Sequence, residues 1–295
     1  SADSAGSADS GDSADGADGA DGADGADGAV TADRFRRSHE PKAPARAQYT
    51  IRKEVTHMLT IFHLTKTYGD KKAVDDLSLH IAPGEICGFI GHNGAGKTTT
   101  LKAVTGILPF DKGEITVCGT SIREDPLTCK RQLAYIPDNP DLYDFMTGIR
   151  YLNFIADIFC IPADVRAERI RRLGDSFDLT KDLAQPIAAY SHGMKQKLAI
   201  IAAWLHEPRL ILMDEPFVGL DPKASHLLKG MMREVCNAGG AIFFSTHVLE
   251  VAEKLCDKVA IIKNGRLIRA GNMDEVRGDE SLENVFLELE DASSC

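Results

Sequence analysis

A chain of 295 residues, 43% of them hydrophobic and 26% charged, can bury one large core or two small ones. The formal net charge of -10 excludes the broadly basic surface of a nucleic-acid binder, and no nucleic-acid partner is expected. No stretch approaches the roughly 20 apolar residues of a membrane-spanning helix, so the chain is not expected to cross a bilayer by itself.

Residues 1–29 are built almost wholly from Ser, Ala, Asp and Gly, with Gly-Ala-Asp triplets running from Gly16. So little apolar surface cannot offset the entropy of ordering the chain, which predicts disorder. Residues 30–57 turn basic around Arg34, Arg36 and Arg37 but carry no apolar core of a secretory signal. Met58 stands just before the first strand-like pattern. Residues 1–57 are therefore expected to be an extension without a role in activity, residues 58–290 the folded domain, and residues 291–295 a tail.

Residues 59–64 and 74–81 alternate apolar and polar side chains as half-buried strands do, and Pro83-Gly84 ends the second. Three short apolar runs follow at 86–90, 210–213 and 241–244. Each precedes a helix-like pattern, which is how buried parallel strands of an α/β sheet read. Leu101, Val104 and Leu108 recur at helical spacing after the first, and Val248, Val251 and Leu255 after the third. Between 147 and 186 the period becomes helical, with Tyr151, Phe154, Ile155, Ile158 and Phe159 predicted on one face. Arg166, Arg169, Arg171 and Arg172 read as a solvated face. A helical subdomain, about 139–195, is thus inserted between strands of one sheet. Asn264-Gly265 marks a hairpin near the C-terminus. The seven cysteines show no metal or redox spacing and read as reduced thiols. His63, His80, His206 and His226 are isolated and expected at the surface or at helix ends.

The chemistry begins after the first apolar run. Gly91-His92-Asn93-Gly94-Ala95-Gly96-Lys97-Thr98 fits the pattern Gly-x4-Gly-Lys-Ser/Thr. Glycines let the backbone fold into a nest of N–H groups and let phosphate oxygens approach where a Cβ would block them. A helix starting near Lys97 directs its positive end at the same anion. Lys97 supplies a mobile point charge for the β and γ phosphates, and the Thr98 hydroxyl a ligand for Mg2+. The chain is expected to bind a nucleoside triphosphate with magnesium.

The loop alone assigns no task. Further on, Leu210-Ile211-Leu212-Met213-Asp214-Glu215 is an apolar strand ending in two carboxylates, which would put Asp214 on Mg2+ and Glu215 beside a water. Upstream, Tyr190-Ser191-His192-Gly193-Met194-Lys195-Gln196 opens a helix whose Leu198, Ile201 and Leu205 are spaced to pack on the sheet. Downstream come Gly219-Leu220-Asp221 and then His247. This ordered set resembles the nucleotide-binding domain of the ATP-binding-cassette (ABC) transporter family over essentially all of residues 58–290.

The resemblance implies an α/β P-loop NTPase of RecA-like type: a mostly parallel core sheet, an N-terminal antiparallel β subdomain and an inserted α-helical subdomain. It implies that Tyr68 stacks on adenine and that Gly91, His92, Asn93, Gly94, Ala95, Gly96, Lys97, Thr98 and Thr99 hold the phosphates of ATP. Ser191 and Gly193 match the signature loop, Asp214 the magnesium-holding aspartate, Glu215 the catalytic glutamate, Asp221 the D-loop aspartate and His247 the switch histidine. Three positions depart from the family pattern. Asp138 stands where Gln is usual; it offers an oxygen to Mg2+, or else it is a turn residue ahead of Pro140. His192 and Met194 stand where Gly and Gln are common, in a form that resembles exporters.

The implied activity is ATP hydrolysis between two such domains, identical or not, facing head to tail. Lys97 and Thr98 of one copy would meet Ser191 and Gly193 of the other, with Lys97, Glu215 and His247 catalytic. The work would drive a membrane-spanning subunit on another chain, with export the expected direction. The protein would then sit at the cytoplasmic face of the membrane. Leu142, Tyr143 and Phe145 lie where family members dock that subunit, or else they fill the helical subdomain's own core. The alternative is a soluble ABC ATPase of translation or DNA maintenance. Such proteins usually carry two cassettes or a very long coiled coil, whereas here one cassette leaves only residues 138–191 for insertion.

Overall fold

A computed structural model describes residues 56–291, with side chains through residue 289. The low-complexity run, the basic stretch through residue 55 and residues 292–295 lie outside the described residues. Strands β1 (Leu59–Tyr68) and β2 (Lys71–Ile81) run longer than the alternation predicts, because the polar hairpin tip stays paired: Thr67 with Lys72 and Tyr68 with Lys71. The next strand, β3 (Ile86–Ile90), leaves for a second sheet. The chain then returns with β4 (Lys112–Val117) and β5 (Thr120–Ser121), completing an antiparallel sheet in the order β2-β1-β4-β5.

The second sheet adds β6 (Leu133–Ile136), β7 (Leu210–Asp214), β8 (Ala241–Thr246), β9 (Lys258–Lys263) and β10 (Arg266–Asn272). Its order is β10-β9-β3-β8-β7-β6, parallel from β9 to β6, with β10 antiparallel at one edge. Every residue of β3, β7 and β8 is buried, as their unbroken apolar runs predict. Each large aliphatic or aromatic side chain so buried contributes about 1.5–3 kcal/mol. The β9–β10 turn places Asn264 and Gly265 at φ of +50° and +80°, the left-handed pair that a two-residue hairpin demands.

Helix α1 (Lys97–Val104) stops before the predicted Leu108, because Gly106 takes a φ of +68° and turns the chain. A short α2 (Pro126–Gln132) precedes β6. Between β6 and β7 stand α3 (Gly148–Ile158), α4 (Ala163–Ser176) and α5 (His192–Trp204), the inserted helical region. The predicted face of α3 is partly wrong. Leu152 and Ala156 are the fully buried positions, whereas Phe154 and Ile158 are exposed. Leu152 and Ala156 are slim enough for α4 and α5 to approach, Gly148 lies against Leu183 and Tyr190, and the side chains of Phe154 and Ile158 are left outside.

Two of the four arginines are also not simply solvated. Arg166 donates to the Ile161 carbonyl and pairs with Asp157 at 2.6 Å, and Arg169 donates to the Leu205 carbonyl and pairs with Glu207 at 2.7 Å. His206 falls just past the end of α5, as expected, but is half-buried there: its ring stacks on Phe159 with centroids 3.7 Å apart, and burial lowers its pKa. The remaining helices are α6 (Pro222–Asn237), α7 (Leu249–Leu255), α8 (Met273–Arg277) and α9 (Leu282–Asp291). Val248, the first of the residues at helical spacing there, stands at the N-cap of α7 and is exposed. The six described cysteines are free thiols, of which Cys160 alone is exposed.

The topology decides where chemistry can occur. Ladder pairs Ile90 with Thr246, Asp214 with Ser245, and Ile136 with Met213 align the carboxyl ends of β3, β8, β7 and β6. In open parallel sheets that edge is where ligands bind, since the loops there splay apart on leaving the strands.

Candidate active site

A cavity of about 300 Å³ opens at this edge, lined by Tyr68, Lys71, Ala73, the loop from His92 to Thr99 except Ala95, Asp138, Asp214 and Glu215. Its floor is the turn between β3 and α1. Gly96 takes a φ of +111°, and a Cβ there would lie 2.4 Å from the Ala73 carbonyl oxygen. A Cβ on Gly91 would lie 2.4 Å from the Ile262 carbonyl oxygen. Both glycines are thus required by close backbone approach. Gly94, at +82°, faces open space on the cavity side, the cradle a phosphate oxygen needs. The first turn of α1 adds amides that no preceding turn can satisfy.

Lys97 is nearly buried, and its Nζ donates to the carbonyls of Gly91 at 2.6 Å and His92 at 3.2 Å. Burial lowers its pKa, against the opposing pull of the Glu215 and Asp214 carboxylates. An anion entering the cavity would add to that pull and favour the charged lysine. The Thr98 hydroxyl donates to Asp214 Oδ2 at 2.6 Å, and the Ser245 hydroxyl donates to Asp214 Oδ1. Asp214 is only 2% exposed, so this buried carboxylate is held on both oxygens by hydroxyl groups. Hard oxygens from Thr98 and Asp214 are the donor set that suits magnesium.

Glu215 stands where β7 ends, at a φ of +46° that few non-glycine residues adopt. Its N–H donates to both the carbonyl and the hydroxyl of Ser245, which holds the turn in place. One carboxylate oxygen, Oε1, faces Lys97 Nζ at 3.8 Å and His247 Nδ1 at 2.9 Å. Strain at this residue, and a carboxylate set between a lysine and a histidine, are marks of a chemical role rather than of packing.

Other predicted residues lie elsewhere. Gly91 and Ala95 are buried behind the loop and form no part of the cavity wall. Ser191 caps α5, accepting from the Met194 N–H at 3.3 Å, and neither it nor Gly193 lines the cavity. A Cβ on Gly193 would lie 2.6 Å from the Gly219 carbonyl oxygen, so α5 begins pressed against the loop that follows Glu215. Asp221 caps α6 through the Ala224 N–H and receives Lys197 Nζ at 2.7 Å, a hydrogen bond that lowers its pKa. Ser191, Gly193 and Asp221 therefore gather on one surface, beside the cavity and not in it.

Sequence reasoning missed Ser245, Lys71 and Ala73. The third apolar run, 241–244, stops one residue short of Ser245, whose part emerges only from its pairing with Asp214. Lys71 reaches the cavity because it pairs with Tyr68 across the hairpin tip. The Tyr68 ring is 51% exposed, with Lys66 Nζ 5.2 Å from its centroid, and presents an aromatic surface at the rim.

Comparison with known proteins agrees with this geometry. The family model described as ABC transporter matches residues 74–218. The chain is 36% identical over 237 residues to the ABC-type transporter ATP-binding protein EcsA of Bacillus subtilis, covering 79% of this chain and 96% of that protein. It is 34% identical over 221 residues to the Nod factor export ATP-binding protein I of Ralstonia nicotianae, covering 75% of this chain and 69% of that one. Among solved structures, an ATP-binding subunit of an ABC transporter superposes with a TM-score of 0.76 at 36% identity, over 79% of this chain and 99% of the other.

Proposed function

Since the chain belongs to the ABC transporter family, as one of its ATP-binding and ATP-hydrolysing subunits, we propose that it works as one half of a head-to-tail pair. The observation that carries this is the separation of Ser191 and Gly193 from the cavity lined by Lys97, Thr98 and Asp214. A second copy, identical or related, would bring its own Ser191 and Gly193 over the nucleotide held here. Each domain alone then has half of a site.

Within one half, Tyr68 stacks on adenine, and the loop from Gly91 to Thr99, with Lys97, takes the phosphates. Thr98 and Asp214 hold Mg2+, and Asp138 at the rim is a further oxygen within reach of the same cavity. The ion, when bound, neutralises charge on the transferring phosphoryl group. Glu215 accepts a hydrogen bond from the attacking water and orients it, while His247 keeps that carboxylate aimed. Asp221, tied to α5 through Lys197, lies on the surface that would face the partner domain.

Closing of the pair on binding ATP, and its opening after hydrolysis, would drive a membrane-spanning subunit on another chain between two states. The docking reading of the 138–148 segment gains support from its side chains: Phe145 is 80% exposed, and Tyr143 is exposed beside it. Leu142 instead packs on the helical core. Through that subunit the protein would lie at the cytoplasmic face of a membrane. Export is the proposed direction, in keeping with the exporter-like signature and the similarity to a Nod factor export subunit. The test is size-exclusion chromatography of Glu215→Gln with saturating Mg-ATP. A dimer is expected, and a species that stays monomeric with ATP bound would count against the head-to-tail pair.

A further inference from the structure

The C-terminal helix reaches the phosphate loop. α9 buries Leu282, Val285 and Phe286 in the core that also contains Ile90, and it packs on α7, which starts two residues after His247. The Phe286 ring, 8% exposed, meets the His92 ring at a centroid distance of 5.2 Å and an interplanar angle of 68°, an edge-to-face contact. His92 lies at the exposed crest of the loop, yet its backbone carbonyl accepts from both the Ala95 N–H at 3.1 Å and Lys97 Nζ at 3.2 Å. Its side chain and its carbonyl therefore link α9 to the lysine that faces the triphosphate.

We propose that Phe286 is a positioning residue for the nucleotide site: by holding His92 it fixes the carbonyl that aims Lys97, so the C-terminal helix sets the affinity for ATP. The inference rests on reading this loop as the ATP site. A neighbouring glycine makes such a hold necessary. Gly94 sits at positive φ with open space around it, and the crest of a loop built on it has little stiffness of its own where it meets the ligand. An edge-to-face aromatic contact favours one ring orientation over others, which apolar burial alone does not.

Calorimetric titration of the full chain with Mg-ATP tests this, using Phe286→Ala, Phe286→Leu, Phe286→Tyr, His92→Ala and the double variant Phe286→Ala/His92→Ala, with thermal unfolding measured alongside. Phe286→Ala and Phe286→Leu are expected to raise Kd for ATP by about two- to tenfold. Phe286→Tyr should bind as the unsubstituted chain does, and the double variant no more weakly than His92→Ala. Phe286→Leu retains the apolar burial, so affinity lost without a fall in unfolding temperature belongs to the ring. An unchanged Kd in Phe286→Leu, or effects of Phe286→Ala and His92→Ala that multiply in the double variant, overturns the proposal alone. Absence of binding by the unsubstituted chain overturns the ATP reading with it.

Discussion

His247 Nδ1 lies 2.9 Å from Glu215 Oε1, the same carboxylate oxygen that faces Lys97 Nζ at 3.8 Å. The carboxylate thus lies between Lys97 and His247. Replacing Glu215 by Gln keeps the shape and an accepting oxygen but removes the negative charge and basicity that would draw the proton of the attacking water. Turnover should fall by about 100-fold or more while ATP binding stays intact. His247→Ala leaves the glutamate present but unaimed, and a smaller loss of turnover is expected. Single-turnover hydrolysis beside nucleotide-binding titration separates the two effects, and undiminished turnover in Glu215→Gln would refute the assignment.

Thr98 and Ser245 hold opposite oxygens of Asp214, and the two hydroxyls should differ in consequence. Ser245 is fully buried and also accepts from the Glu215 N–H, so Ser245→Ala leaves a buried carboxylate short of one partner. A loss of about 1–3 kcal/mol in urea unfolding without nucleotide is expected. Thr98 and Asp214 line the open cavity, where water can replace the lost hydroxyl on the carboxylate, so Thr98→Val should cost less stability than Ser245→Ala. It should instead abolish the dependence of ATP binding on magnesium, and a wild-type magnesium titration in this variant would exclude Thr98 as a metal ligand.

Glycines of one loop should respond unequally to the same change. A Cβ on Gly96 would meet the Ala73 carbonyl oxygen, a backbone atom that cannot rotate away, and φ is +111° besides. Gly94 has open space around the same added atom and carries only the cost of its φ of +82°. Gly94→Ala should lower stability by about 1 kcal/mol, in line with the left-handed penalty for an L-residue. Gly96→Ala should cost about 2 kcal/mol or more, because a strand of the antiparallel sheet must also shift. Thermal unfolding of both, without ligand, measures the difference, and equal losses would show that the Ala73 contact is soft.

Much of this site could be read from the sequence because its parts are locally determined. The phosphate loop needs its glycines wherever it occurs, and β3, β7 and β8 declare themselves by unbroken apolar runs that suit strands buried on both faces. What could not be read depends on neighbours far along the chain. Ser245 acquires its part only by lying opposite Asp214, and Lys71 only by pairing with Tyr68. On α3 a count of apolar residues picked out Phe154 and Ile158, yet close approach of α4 and α5 selected the slimmer stripe through Leu152 and Ala156. The stack of His206 on Phe159 joins two helices with no local trace in either.

Phe154, left exposed on α3, belongs to a surface cluster that also holds the residue on which partner docking is best tested. Phe145 is 80% exposed and lies against Tyr143, which in turn touches Phe154, so three aromatic rings cluster at the surface with centroids 5.7 and 5.8 Å apart. Leu142 is a poor probe, because it packs on the helical core and a charge there would disturb the fold. Phe145→Asp removes one ring of the cluster and buries no charge. Unfolding should therefore move by no more than about 0.5 kcal/mol, as for other exposed positions. ATP binding by the isolated chain should be unchanged as well. If the cluster anchors a membrane-spanning subunit, loss of its most exposed ring should weaken assembly by about 2 kcal/mol or more, roughly thirtyfold. Copurification in mild detergent reads this directly: full recovery of the partner with Phe145→Asp would remove the cluster from the interface.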